Sequence, residues 1–149
     1  TIVAGAVYAP VTDELYTASL EQAAQCNGAA LHVSTVTSLD RALVLTGLDK
    51  DGAPGQPPFE RFLRITDRVQ RSRIMGCAAL DICHVAAGRA DAYFESGIYT
   101  WDMAAAALIV QQAGGRGEIL ARRGGHRLCF AATNGRVHQE LKDLLAFDA

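Results

Sequence analysis

ADAYFESGIYTWDMAAAALIVQQAGG, residues 90–115, changes its hydrophobic pattern once, and that change decides the fold. Ala92 to Glu95 reads as a short strand, followed by a Ser-Gly loop. Trp101 to Ala113 then reads as a helix that is apolar on every side, stopped by Gly114 and Gly115. A helix with no polar face has to be buried, and its four consecutive alanines permit a close approach to a sheet. Glu95 and Asp102 flank the loop. Thr100 is the expected N-cap, which puts Asp102 in the first helical turn, where the helix dipole favours a negative charge. There Asp102 either completes a helix start or serves, held rigidly at the edge of a core, as a ligand to a hard cation. Glu95 is either an exposed loop residue or a carboxylate pointing into the cleft of an α/β fold. Only six residues separate the two, so one pocket could hold both.

Outward from this stretch, strands alternate with helices. Ala42 to Leu48 is a continuously apolar strand, and Asp49 to Pro58 a Gly- and Pro-rich loop that marks a boundary between sub-structures. Phe59 to Arg71 is an amphipathic helix with Arg61, Arg64, Arg68 and Arg71 along one side, either a solvated face or a stripe that binds phosphate or a partner subunit. Arg73 to Met75 is a strand, Gly76 a turn, and Cys77 to Ala87 a helix ended by Gly88. Gly117 to Leu120 and Leu128 to Ala132 are strands, and Asn134 caps a last helix from Val137 to Phe147. This alternation is the signature of an α/β layer structure. Before it, strands over Ile2–Tyr8, Leu15–Ser19 and Ala30–Val33 form an antiparallel meander, a thin sheet on its own. The Gly76-Cys77-Ala78 junction is a strand–turn–helix. Its free N–H groups suit an anion or a polar ligand, or it is a plain tight turn.

The 149 residues suit one ordinary domain, and half of them are apolar, so a sizeable core is available. The formal net charge of −2 argues against a dedicated nucleic-acid surface. No apolar run is long enough for a membrane span, and no signal peptide opens the chain. The four cysteines show neither CxxC nor zinc-finger spacing and read as free thiols of a reducing compartment, the cytoplasm. His84 has no partner suggested by spacing. Ser96 has no GxSxG context, and neither GxxxxGK[ST] nor GxGxxG occurs.

GCAALDICHVAAGRADAYFESGIYTWDMAAAALIVQQAGG, residues 76–115, resembles the second signature region of the inositol monophosphatase family. The WDxAAxxxIVxxAGG run is specific, and AAGRADAYFE stands just ahead of it. GAVYAPVTDELYTA and CNGAALHVS are similar to the family's middle strands, so the resemblance runs from residue 5 to about residue 145. It implies an α/β fold, a layered αβαβα sandwich, of which residues 1–40 would end the antiparallel sheet and residues 41–149 form the C-terminal mixed-sheet domain. It implies a Mg²⁺-dependent phosphomonoesterase acting on inositol monophosphate or a similar small polyol phosphate. Asp102 would be a metal ligand. Glu95 would bind substrate hydroxyls, and Gly76, Cys77 and Ala78 would contact substrate through the turn. Many members have Ser or Thr where Cys77 stands, and glycine where Ala105 stands. The family's other motif, DP-[ILV]-DGT, does not occur in these residues, so the chain resembles the C-terminal half of such an enzyme and holds no catalytic residue of its own. The resemblance further implies a homodimer, or a complementing N-terminal segment. Two other readings fit the same residues: a catalytically inactive half-fold serving as an assembly module, and a histidinol-phosphate phosphatase.

Overall fold

Two sheets enclose the apolar helix. The computed structural model describes residues 1–48 and 54–145. The first sheet is antiparallel, with strands β1 (Ala4–Ala9), β2 (Glu14–Ser19), β3 (Gln22–Cys26) and β4 (Ala29–Ala30) in sequential order. The second runs in the order β6 (Arg71–Arg73), β5 (Leu43–Thr46), β7 (Ala92–Tyr99), β9 (Arg127–Thr133) and β8 (Arg116–Gly124). Strands β6, β5 and β7 are mutually parallel, and β9 and β8 complete the sheet antiparallel. Helices α2 (Ala78–Ala86) and α3 (Thr100–Gln112) lie between the two sheets. Helices α1 (Pro57–Arg68) and α4 (His138–Leu145) cover the far face of the second. The layer order is therefore sheet, helices, sheet, helices. Among the described residues no helix covers the outer face of the first sheet.

Burial on both faces explains the continuous apolar strands. Along β9, Leu128, Phe130 and Ala132 face the inter-sheet core, while Cys129 and Ala131 face α1 and α4. Along β7, Tyr93 and Ile98 take the first side, and Ala92 and Phe94 the second. In α3, Met103 and Ala106 to Val110 are buried, because both sheets press on the helix. The alanines make that possible. A Cβ built on Gly5 of β1 would come within 2.9 Å of the Ala105 carbonyl oxygen, so the strand and helix backbones meet with no side chain between them.

Several expected boundaries shift. Strand β3 is an addition to the expected strands: its Gln-Ala-Ala-Gln-Cys sequence has little intrinsic strand preference and forms by pairing with β2. The strand expected at Ala30–Val33 shrinks to the two residues of β4. Strand β6 falls on Arg71–Arg73, not Arg73–Met75. Its polar residues suit an edge strand, and Ile74 and Met75, which drew the expectation, are exposed. Helix α1 begins at Pro57, inside the expected loop, since proline is favoured in a first turn. It ends at Arg68, so Arg71 leaves the arginine stripe for β6. The other part of that loop, residues 49–53, lies outside the described residues, as do 146–149 at the end of the last expected helix.

Two polar clusters fix the second sheet. Asp91 accepts from the Ser34 hydroxyl at 2.5 Å and the Leu43 N–H at 2.7 Å, while its carbonyl accepts from the Asn134 N–H at 2.9 Å. One buried aspartate, through its carboxylate and its carbonyl, thus ties the linker from the first sheet to the starts of β5 and β7 and the end of β9. On the α4 side, the Thr133 hydroxyl oxygen accepts from the Gly135 N–H, and its proton goes to His138 Nδ1 at 3.0 Å. That leaves His138 Nε2–H to donate to Glu118 at 3.0 Å. Asn134 Oδ1 accepts from the Arg136 and Val137 N–H groups, the expected cap at the entry to α4.

The Gly5 contact has a direct test. Gly5→Ala should lower the unfolding free energy by about 1–3 kcal/mol, because both obstructing groups are backbone. Urea denaturation measures this, and an unchanged midpoint would mean that β1 and α3 are not in contact.

Candidate active site

A cleft of about 570 Å³ opens at the carboxyl ends of β5, β6 and β7. Ligand sites of open α/β sheets form at such ends. All five residues singled out from the sequence, Gly76, Cys77, Ala78, Glu95 and Asp102, line it. Gly76 takes φ of +87°, a left-handed conformation, and turns the chain after β6. Cys77 is exposed and occupies the N-cap of α2. Ala78 is the first helical residue, so the free N–H groups of α2 begin at the cleft wall.

Glu95 does not close its strand. Strand β7 continues to Tyr99 through a bulge in which Ser96 and Gly97 together oppose Cys129. The Ser-Gly pair that reads as a loop is therefore an extra strand residue, a device that re-aims the side chains beside it. The Tyr93 hydroxyl donates to Glu95 Oε2 at 2.6 Å. Burial first, and the Glu95 charge second, hold the Tyr93 phenol well above its ordinary range, so it stays a donor. Gly47 leaves room for this carboxylate, since a Cβ there would sit 2.2 Å from Glu95 Cδ.

Asp102 stands in the first turn of α3, as expected, with one correction. Tyr99, not Thr100, is the N-cap, because the Thr100 N–H and hydroxyl are both taken by the His126 carbonyl at the tip of the β8–β9 hairpin. Asp102 Oδ2 accepts from the Tyr99 N–H at 2.9 Å. Its Oδ1 accepts no hydrogen bond among the described residues.

Two lining residues escape a reading of motifs. Asp81, in the first turn of α2, is 2% exposed, and its Oδ1 is buried without a hydrogen-bond partner among the described residues. Burial, reinforced by the Glu95 charge, pushes its carboxyl up to about 7. The sequence offers no local signal for Asp81, because it shares α2 with His84 and only the fold shows which face of that helix meets the cleft. Arg127 donates from Nε to the Gly97 carbonyl at 3.3 Å and lies over the Tyr99 ring, 5.5 Å from its centroid.

For a hard cation the fit is partial. Asp102 offers an uncommitted carboxylate oxygen held by a rigid helix start. Among the described residues no group of three or more His, Cys, Asp or Glu side chains is placed to hold a metal, and such an ion needs several oxygens.

The inositol monophosphatase family model matches residues 1–147. The chain belongs to the inositol monophosphatase family. It is 40% identical to an inositol-1-monophosphatase of Synechocystis sp. over 95% of its own length and 50% of that protein's. It is 38% identical to human inositol monophosphatase 2 over 74% of its length and 40% of that protein's. Its structure superimposes on the inositol monophosphatase of Anabaena (Nostoc) sp. with a TM-score of 0.87 and 32% identity, over 96% of this chain and 58% of that one. The chain thus spans about half the length, or less, of these curated relatives. The mixed α/β architecture of two sheets and four helices is that of the family. No helix among the described residues is long and apolar enough to cross a membrane.

Asp81 makes this site a cost to folding. Its carboxyl rises from 3.8 to about 7, so between those values the folded chain binds more protons than the unfolded chain. Stability contributed by this group therefore falls as pH rises from about 4 to about 7, then levels off. Asp81→Asn is expected to unfold at a higher temperature than the unsubstituted chain at pH 8 and at an equal temperature near pH 4. Melting curves at the two values test this, and a variant less stable at pH 8 would contradict it.

Proposed function

We propose that this segment is the substrate-orienting part of a cytoplasmic, Mg²⁺-dependent phosphomonoesterase that hydrolyses inositol monophosphate or a similarly small polyol phosphate. One observation carries the reading: the turn at Gly76–Ala78, which opens α2, converges on one cleft with Glu95 of β7 and Asp102 of α3. Family membership and the inositol monophosphatases among the relatives support it. Asp102 Oδ1 would hold one ion, while its Oδ2 stays fixed by the Tyr99 N–H. When bound, Mg²⁺ supplies charge neutralisation at the phosphate ester. Glu95, braced by Tyr93, accepts from a polyol hydroxyl, and the N–H groups of the Ala78 turn orient the same ligand.

The remaining metal ligands would come from residues other than those of this segment, which fits the absence of a DP-[ILV]-DGT motif here. In this reading residues 1–40 complete an antiparallel layer of the working protein, residues 41–149 form its C-terminal domain, and the protein works as a homodimer. In the protein that carries this segment, Asp102→Asn should cut Mg²⁺-dependent phosphate release from inositol monophosphate at least about a hundredfold, since even groups behind metal ligands cost 10–100-fold. Glu95→Gln should raise KM more than it lowers kcat, as loss of a ground-state contact does. Colorimetric phosphate assay reads both. Full activity in Asp102→Asn would remove that residue from the metal, and no Mg²⁺-dependent hydrolysis in the unsubstituted protein would sink the phosphatase reading.

A further inference from the structure

Asp81 is placed where a fold has no use for it. It does not cap α2, whose N-cap is Cys77, and its side chain makes no hydrogen bond among the described residues. A buried carboxyl with an unpartnered oxygen is destabilising, and such groups concentrate at working sites. The other polar groups nearby are already committed. The Thr46 hydroxyl donates to the Phe94 carbonyl at 2.7 Å, and the Tyr93 hydroxyl to Glu95. A ligand entering the cleft can supply the partner that Asp81 lacks among the described residues.

The chemistry of that ligand follows from the neighbours. Asp81 and Glu95 line one cleft, and the negative charge of Glu95 is felt at Asp81. A phosphate group would be repelled from this end. A hard cation would find two acids and no third side-chain ligand among the described residues. A hydroxyl group both donates and accepts. With its carboxyl shifted to about 7, Asp81 is substantially protonated near neutrality and offers a donor and an acceptor, while Glu95 offers acceptors. Two neighbouring hydroxyls satisfy that pair.

We propose that Asp81 and Glu95 form a paired-carboxyl subsite for two adjacent hydroxyls of the substrate's polyol, with Asp81 setting a preference for hydroxylated over deoxygenated rings. The inference rests on the polyol-phosphate reading above and adds a residue and a selectivity to it. It orients the ligand: hydroxyls toward α2 and β7, phosphate toward Asp102.

Binding of free myo-inositol, which carries neither phosphate nor metal, isolates the subsite. The unsubstituted chain, Asp81→Asn and Asp81→Leu are each titrated with myo-inositol and with cyclohexanol by calorimetry. Asp81→Asn, which keeps a neutral donor and acceptor, should hold myo-inositol within about threefold, and Asp81→Leu should weaken it about tenfold or more. Cyclohexanol affinity should not respond to either change. In the unsubstituted chain the ¹³C carboxyl resonance of Asp81 should shift on saturation with myo-inositol, a measurement that needs no variant to fold. An unmoved resonance, or equal affinities across the three proteins, overturns the subsite. So does a loss in Asp81→Leu of Mg²⁺ affinity alone. If myo-inositol binds in an Asp81-dependent way but no phosphate is released, the subsite stands and the phosphatase reading falls. If the unsubstituted chain binds no myo-inositol while the protein that carries it releases phosphate from inositol monophosphate, the subsite falls and the phosphatase reading stands.

Discussion

The close approach of β1 and α3 is the constraint on which the rest depends. Gly5 and Ala105 meet backbone to backbone, so α3 is fixed against the first sheet while its other side packs on the second. A helix held on both sides cannot slide or rotate without moving a sheet. Its first turn, carrying Asp102, inherits that rigidity, and Asp102 Oδ2 is locked again by the Tyr99 N–H. The position of one carboxylate is thus set by a contact on the far side of its helix. The same contact explains why the run from Ala104 to Ala107 is small: larger residues would force the layers apart.

The cleft is built on the opposite logic. Its wall uses a bulge, a left-handed glycine and a helix N-terminus, each of which interrupts regular pairing. At the bulge the Ser96 hydroxyl is buried without a partner among the described residues, and Asp81 has an oxygen in the same condition. Both unsatisfied groups lie in the elements that shape the cleft, α2 and β7. The packed core on both sides of the second sheet holds these departures in place.

How much was legible follows from the same division. The regular parts announce themselves through period and punctuation: α3 by an apolar run ended by Gly114 and Gly115, β5 and β9 by continuous burial, the α2 turn by Gly76. Glu95 and Asp102 were legible because each sits at a marked transition. The lengths of β3, β6 and β7 were not, because strand pairing is a property of neighbours; Arg71–Arg73 and Gln22–Cys26 are strands only because β5 and β2 lie alongside. The bulge hid for the same reason, since Ser-Gly is also a loop sequence. Asp81 needed knowledge of which face of α2 the cleft occupies, and no local pattern supplies that.

The charged groups of the second sheet pull in opposite directions with pH. On the α4 side, hydrogen bonds led by Lys142 hold the Glu118 carboxyl down at about 2, and burial holds the His138 imidazole below its ordinary 6.5. Both depressed values mean that stability from these groups is present above their unfolded values and is lost as pH falls through the folded ones. Asp81 works in reverse, favouring the fold at low pH and opposing it near neutrality. At pH 7 the α4 network is therefore at full strength while Asp81 is most costly. Strands β9 and β7 connect the two, because Thr133 anchors His138 and pairs across to Ala92, three residues before Glu95. A carboxyl unfavourable to folding can be held at the cleft because the strands beneath it are secured, at the same pH, from their other face.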